Sequence, residues 1–263
     1  MCLLVVAWQS HPAIRLLAAG NRDEFHARPT EAAGFWPDHP ELLAGRDVTA
    51  GGTWMGISRQ GRFAAITNVR PGLGEDPGRP GRHSRGELPV DFLTSRHTTD
   101  DFLLDVQNRA NDYDGFNLLV CDGEHLGYYS NRDGRAPQRL GPGVHALSNH
   151  RLETPWPKLL RLRSGFEAAL QEGRLDSRHL LSLLKNSDTA EPGQLPDTGL
   201  DPELERRLSA AFVLGQDYGT RSSTLVWLHE DGHGEFLERR YGPYGQEQGD
   251  KVFRLTIESP PDD

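Results

Sequence analysis

The sequence predicts an α+β fold. Three features carry this: strand-like apolar runs fill the first third, helix-periodic segments occupy the middle, and strand patterns return at the end. The first two runs, Cys2 to Trp8 and Ile14 to Gly20, flank Ser10-His11-Pro12 and read as a hairpin of buried strands. Antiparallel partners reverse direction, so the end of the second strand lies beside the start of the first. Asn21-Arg22-Asp23-Glu24, expected just beyond that second strand, is thereby brought towards Cys2. From Phe25 to Ala44 prolines, charges and aromatics suggest a long covering loop, with Trp36 as a packing plug rather than a ligand platform. Gly52 to Ser58 and Arg62 to Asn68 form a second hairpin around Arg59-Gln60-Gly61, and Asn68 falls at its strand end.

Pro71 to Gly86 is glycine-rich but lacks nucleotide-binding spacing, and its prolines remove donors a phosphate cradle would use. It reads as a flap carrying Arg79, Arg82 and Arg85, either plainly solvated or able to meet an anionic group. Leu88 to Arg96 and Asp101 to Ala110 have helical spacing, the second opened by Thr99-Asp100 as a cap. Phe116 to Cys121, Leu126 to Ser130 and Val144 to Asn149 read as strands, with Cys121 a core thiol. Trp156 to Leu170, Ser177 to Lys185 and Pro202 to Leu208 read as helices. Strands resume at Ser222 to His229, Gly234 to Arg240 and Val252 to Glu258. Arg221, just before the first of these, either faces solvent or is paired in a cleft, because a buried lone cation is costly.

No long polar linker divides the chain, so one domain over residues 1–263 is expected. The net charge of −9 is scattered, which leaves no footprint for nucleic acid. Cys2 and Cys121 are the only cysteines, which excludes a disulfide framework and suits a reducing cytoplasm. No apolar stretch is long enough to span a bilayer, so no integral membrane segment is expected. His229 and His233 flank a hairpin turn rather than sharing a helix face, and no metal is expected.

The chemistry concentrates at the start of the chain. If Met1 is trimmed, as a small second residue allows, Cys2 carries a thiol and a free α-amine on adjacent bonds. Their unperturbed pKa values, about 8.5 and about 7.7 to 8.0, match a nucleophile to its own base without a histidine. A guanidinium from Arg22 would favour the thiolate, and a carboxylate would hold the ammonium. An Asn-Arg-Asp triplet is also an ordinary turn sequence, as its repeat at Asn131-Arg132-Asp133 illustrates.

Met1-Cys2, Asn21-Arg22-Asp23-Glu24, Gly51-Gly52-Thr53-Trp54-Met55-Gly56, Thr67-Asn68-Val69-Arg70, Ser84-Arg85-Gly86, Leu147-Ser148-Asn149 and Gly219-Thr220-Arg221-Ser222-Ser223-Thr224 together resemble the NRDE family, or transport and Golgi organisation protein 2 family. The likeness spans nearly the whole chain. That family in turn resembles the N-terminal-nucleophile (Ntn) hydrolases, especially the bile-salt hydrolase and penicillin V acylase group. The resemblance implies a four-layer αββα sandwich of mainly antiparallel sheets and an acyl transfer to water from an amide or thioester. It implies Cys2 as nucleophile, Arg22 biasing the thiolate, Asp23 orienting the amine, and Asn68 with Asn149 holding the oxyanion. Arg221 would complete the polar cluster or meet a substrate carboxylate. In those hydrolases the arginine and aspartate stand three residues apart; here they are adjacent, so Glu24 competes for the carboxylate role. No cofactor is required for this chemistry. The same resemblance implies an alternative, a non-catalytic carrier of haem, acyl-CoA or lipid on one scaffold.

Overall fold

A computed structural model describes residues 2–70 and 81–258. Met1, the first part of the expected flap with Arg79, and residues 259–263 lie outside the described residues.

Strand β1 (Cys2–His11) is apolar on both faces: Leu4, Val6 and Trp8 point one way, Leu3, Val5 and Ala7 the other, and all are buried. Such a strand needs cover on both sides. Its hairpin partner β2 (Ile14–Phe25) sets Cys2 opposite Arg22 and Leu4 opposite Gly20. The far edge of β2 pairs with β11 (Tyr218–His229). With β10 (Gly143–Leu147), β12 (His233–Tyr241) and β13 (Glu247–Thr256), the first sheet runs β10-β1-β2-β11-β12-β13.

The second sheet follows chain order: β3 (Thr30–Trp36), β4 (His39–Asp47), β5 (Met55–Ser58), β6 (Phe63–Asn68), β7 (Phe116–Cys121), β8 (Leu126–Ser130) and β9 (Gln138–Leu140). Pairings within both sheets are antiparallel. Gly61, at φ +73°, makes the β5–β6 turn, a conformation that L side chains resist.

The sheets stack through Leu4, Val6 and Leu16 against Ile57, Phe63 and Leu119. Helices α3 (Pro157–Glu172) and α4 (Ser177–Leu184) cover the outer face of the first sheet, with Leu162, Phe166 and Leu180 on Leu3, Val5 and Leu17. Helices α1 (Glu87–Thr94) and α2 (Thr99–Asn108) cover the second, with Phe92 and Phe102 on Ala64 and Leu118. The layer order is therefore αββα, and α5 (Pro202–Leu208) sits beside it.

Three expectations change. The covering loop of Phe25 to Ala44 is largely the β3–β4 hairpin; its pairing jumps from Phe35 opposite Leu43 to Trp36 opposite His39. Pro40 falls in that gap, where its missing N–H leaves no ladder bond unmade, and the irregularity hides the alternation. Asn21 to Glu24 lie inside β2 rather than beyond it, because β11 keeps pairing as far as Phe25 opposite Tyr218. Helix α2 is capped by Thr98, whose hydroxyl accepts from Asp101 N at 3.2 Å. Thr98→Ala should cost about 1 kcal/mol, read as a lowered urea midpoint at constant m.

Trp36 does act as a plug, buried with Nε1 donating to Ala44 O at 3.0 Å. Cys121 is fully buried, and desolvation pushes its thiol up to about 12. Among the described residues no helix is long and apolar enough to cross a membrane.

Candidate active site

Polar side chains interrupt the inter-sheet core at the end where β1 begins. Register places Cys2 beside Arg22, Arg22 beside Ser222, and Ser222 beside Arg240, a row crossing β1, β2, β11 and β12. Alternation puts this row on the same face as Leu4, Ala18, Val226 and Phe236, towards the second sheet. From that sheet Asp47, Thr53, Trp54, Thr67 and Asn68 face it, and Arg85 enters from the segment before α1. The result is a cleft of about 190 Å³. Gly52 makes it possible: a Cβ there would lie 2.3 Å from the Gly86 carbonyl carbon, so only glycine lets the Arg85 segment come this close.

Cys2 is 7% exposed at the edge of the cleft. Burial pushes its thiol pKa up, and the Arg22 guanidinium is among the charges that oppose this. Arg22 Nη2 lies 3.5 Å from Glu24 Oε2 and 3.3 Å from Asp47 Oδ2, and Arg28 Nε donates to the same Asp47 oxygen at 2.6 Å.

Because Arg22 and Asp23 are neighbours in one strand, they point to opposite faces. Arg22 and Glu24 share the thiol's face; Asp23 points to the helix side, where Thr220 Oγ1 donates to its Oδ1 at 2.7 Å. Asp23 is 1% exposed; burial raises its pKa, while the Lys158 ammonium and the Thr220 hydroxyl pull it down. With Cys2 opposite Arg22, the nitrogen end of Cys2 lies towards Asp23 rather than towards Glu24.

The two asparagines meet where β6 ends against the residues after β10. Asn149 is fully buried, and its Nδ2 donates to Asn68 Oδ1 at 2.8 Å and Asn68 O at 3.2 Å. Ser148 Oγ donates to Cys2 O at 3.2 Å, and Thr67 Oγ1 to Ser148 O at 2.7 Å, which tie this junction to the first residue of β1. Asn68 lines the cleft with its amide oxygen already accepting, so its NH2 is the end left for a ligand. Asn149 does not line the cleft; it orients Asn68.

Arg221 also borders the cleft, at a β-bulge: Thr220 pairs with Asp23 and Ser222 with Arg22, leaving Arg221 as the extra residue. Its Nη1 donates to Phe25 O at 2.7 Å and Arg28 O at 3.0 Å, and its Nη2 to Thr30 Oγ1 at 3.1 Å. Arg82 is exposed and outside the cleft, whereas Arg85 Nη1 donates to Gly115 O at 3.0 Å. Sequence reasoning overlooked Asp47, Ser222, Glu238 and Arg240. Ser222 and Arg240 follow from continuing the Cys2–Arg22 register across β11 and β12, and Glu238 is two residues along the same face; Asp47 carries no sequence signal, since it lies beyond the expected loop of Phe25 to Ala44 and outside any expected strand. His229 and His233 sit at the far β11–β12 turn, His233 on Asp231 at 3.0 Å. Among the described residues no group of three or more His, Cys, Asp or Glu could hold a metal ion.

Comparison with known proteins agrees with this fold. Two structures of conjugated bile acid hydrolase from Clostridium perfringens, one with a cysteine replaced by alanine and one with an arginine replaced by leucine, each match at a TM-score of 0.53 and 8% identity. They cover 98% and 99% of this chain and 92% and 99% of theirs. The fold is that of the Ntn hydrolases. Transport and Golgi organization protein 2 homologs from Bos taurus and Homo sapiens are 38% and 35% identical, each over 91% of this chain and 92% of the relative. The Drosophila melanogaster protein is 24% identical over 90% of this chain and 91% of its own. Residues 1–243 match the family described as Transport and Golgi organisation 2, and the chain belongs to that family.

Proposed function

We propose that this chain is a cysteine Ntn hydrolase that transfers an acyl group from an amide or thioester to water. One observation carries the reading: Cys2, Arg22, Asp23 and Asn68 border one cleft, with the Asp23 carboxylate turned towards Thr220 beside the start of the Cys2 strand. With Met1 removed, Cys2 Sγ attacks the carbonyl carbon and its α-amine takes the thiol proton. The Asn68 NH2 donates to the developing oxyanion, and Arg22 favours the thiolate. Collapse breaks the bond to the leaving group, which receives that proton from the ammonium. Water then adds to the thioester with the amine as base, and the acid departs as Sγ is released. Asp23 holds the ammonium in each half. Glu24, bound to Arg22 and to Phe25 N at 2.9 Å, lies on the other face and steadies the guanidinium instead.

Asn68→Ala should lower kcat on the order of a hundredfold with little change in KM, since it removes an interaction made in the transition state. Asn149→Ala should act in the same direction but less, by loosening Asn68. Intact-mass analysis of the amino terminus, then kinetics on amide and acyl-thioester panels, tests both; an unchanged kcat in Asn68→Ala removes it from the oxyanion role.

A second reading, a carrier on the same scaffold, draws support from the thiol itself: burial pushes Cys2 away from the thiolate form. Lipid or acyl-CoA binding would use the same cleft. Haem finds few ligands there: among the described residues Cys2 is the sole thiol in the cleft, and no histidine, methionine or tyrosine lines it to ligate iron. Any Soret shift on mixing with haem should therefore depend on Cys2 and disappear in Cys2→Ala. A carrier would bind ligand stoichiometrically and release it unchanged.

A further inference from the structure

Beyond Arg22, the cleft keeps three guanidiniums without a carboxylate in ion-pair contact among the described residues: Arg85, which is tied to Gly115 O, and the pair Arg221 and Arg240. Arg28 is held by Asp47 and Arg46 by Asp38. Arg221, by contrast, is anchored on Phe25 O, Arg28 O and Thr30 Oγ1, and Arg240 Nη2 on Thr30 O at 3.3 Å. Both converge on Thr30, which also lines the cleft. Arg22 and Arg240 are the foremost charges acting on Arg221, so cations crowd this corner. Glu238 is the acid next along β12, but it is 5% exposed, its Oε1 accepts from Ala33 N at 2.8 Å, and burial pushes its carboxyl towards the neutral form.

The arrangement is built rather than incidental. In an unbroken strand Arg221 would point opposite to Ser222, onto the helix side; the bulge takes it out of the ladder and turns it to the cleft. Like charges held together by backbone carbonyls are stable where an anion joins them, and guanidinium forks suit the planar oxygens of a carboxylate or phosphate.

Position turns this into a ruler. Cys2, Arg22, Ser222 and Arg240 occupy successive strands at one level, and Arg221 adjoins Ser222. We propose that the substrate carries an anionic group, carboxylate or phosphate, about 10–14 Å from its reactive carbonyl, two to three strand spacings away, clamped by Arg221 and Arg240. This deepens the hydrolase reading and rests on it for the carbonyl end alone; the anion site stands on its own geometry.

The test uses full-length protein with the amino terminus verified by mass. Its probes are alkanoyl thioesters whose thiol arm ends in a carboxylate, a phosphate or a neutral hydroxyl, on spacers from short to long. Anionic probes should be preferred in kcat/KM, through KM, with an optimum at spacers that reach the arginines; the better of the two anions identifies its source. Arg240→Gln and Arg221→Gln should each cut the anionic-over-neutral preference about tenfold, whereas Arg240→Lys keeps part of it. No preference, no spacer optimum, or variants that lower neutral and anionic probes alike would overturn the proposal. Calorimetry of the same probes on Cys2→Ala separates the two readings. Tight, arginine-dependent binding without turnover by the wild type rejects the hydrolase and keeps the anion site; turnover blind to charge does the reverse.

Discussion

Cys2→Ala protein should fold normally and lose hydrolysis by several orders of magnitude. Deleting a nucleophile that works as a unit with its base can cost up to about 10⁶ in kcat, because the rest of the site then has nothing to position. Little stability should go with it: Cys2 stands at the edge of the cleft, and its strand is fixed by the register from Leu3 opposite Asn21 to Trp8 opposite Leu16. Protein that retains Met1 should be equally inactive with its thiol intact, since the Cys2 nitrogen is then a peptide amide with no lone pair for a proton. Turnover by wild type, Cys2→Ala and a Met1-retaining form, each checked by mass and by melting temperature, makes the comparison. Equal rates in wild type and Cys2→Ala would remove Cys2 from the chemistry.

Much of this site could be read from the chain because hydrophobic alternation fixes strands, and strands fix neighbours. The runs Leu3 to Trp8 and Ile14 to Gly20 are apolar on both faces, which only a covered central hairpin satisfies, and that hairpin delivers Arg22 to Cys2. What the sequence obscured was direction. Asn-Arg-Asp-Glu looks like a turn because four polar residues end an apolar run, yet both edges of β2 keep pairing there. Once they are strand residues, alternation decides between the rival acids: Glu24 joins Arg22 on the cleft side and Asp23 goes to the helix side. The β3–β4 hairpin was hidden for a related reason, since its irregular pairing breaks the period that marks strands. Arg221 could be singled out as a costly cation, but only the bulge reveals that it is turned to the cleft.

Asp23 takes part in a second arrangement whose disruption should be costly to the fold. On the helix side of the first sheet, Lys158 is 2% exposed and its Nζ donates to Leu208 O at 2.8 Å. Arg70 Nη1 and Glu205 Oε1 pair at 3.1 Å nearby, so two acids and two bases share a buried neighbourhood. Desolvation lowers the Lys158 pKa from 10.5 to about 8, with Asp23 and Glu205 opposing the fall and Arg70 adding to it. The buried charges of Asp23 and Lys158 act on each other, so neutralising one leaves the other less compensated and Asp23→Asn should destabilise by about 1–3 kcal/mol. Lys158→Met should do likewise, while the double substitution costs less than the sum, leaving a coupling energy that a double-mutant cycle reads directly.

The pH dependence carries its own sign. With its folded pKa below its unfolded one, Lys158 binds fewer protons in the native state between pH 8 and 10.5, so stability rises with pH across that window. Its contribution is complete above the unfolded value and is lost as pH falls through the folded one. In Lys158→Met that rise should vanish from the difference between variant and wild-type urea curves. In Asp23→Asn the native lysine loses an attractive charge, its pKa falls further, and the rise should begin at lower pH. Parallel curves for all three proteins would mean that Asp23 and Lys158 do not sense each other, and Asp23 would then be free of the role of holding this corner together.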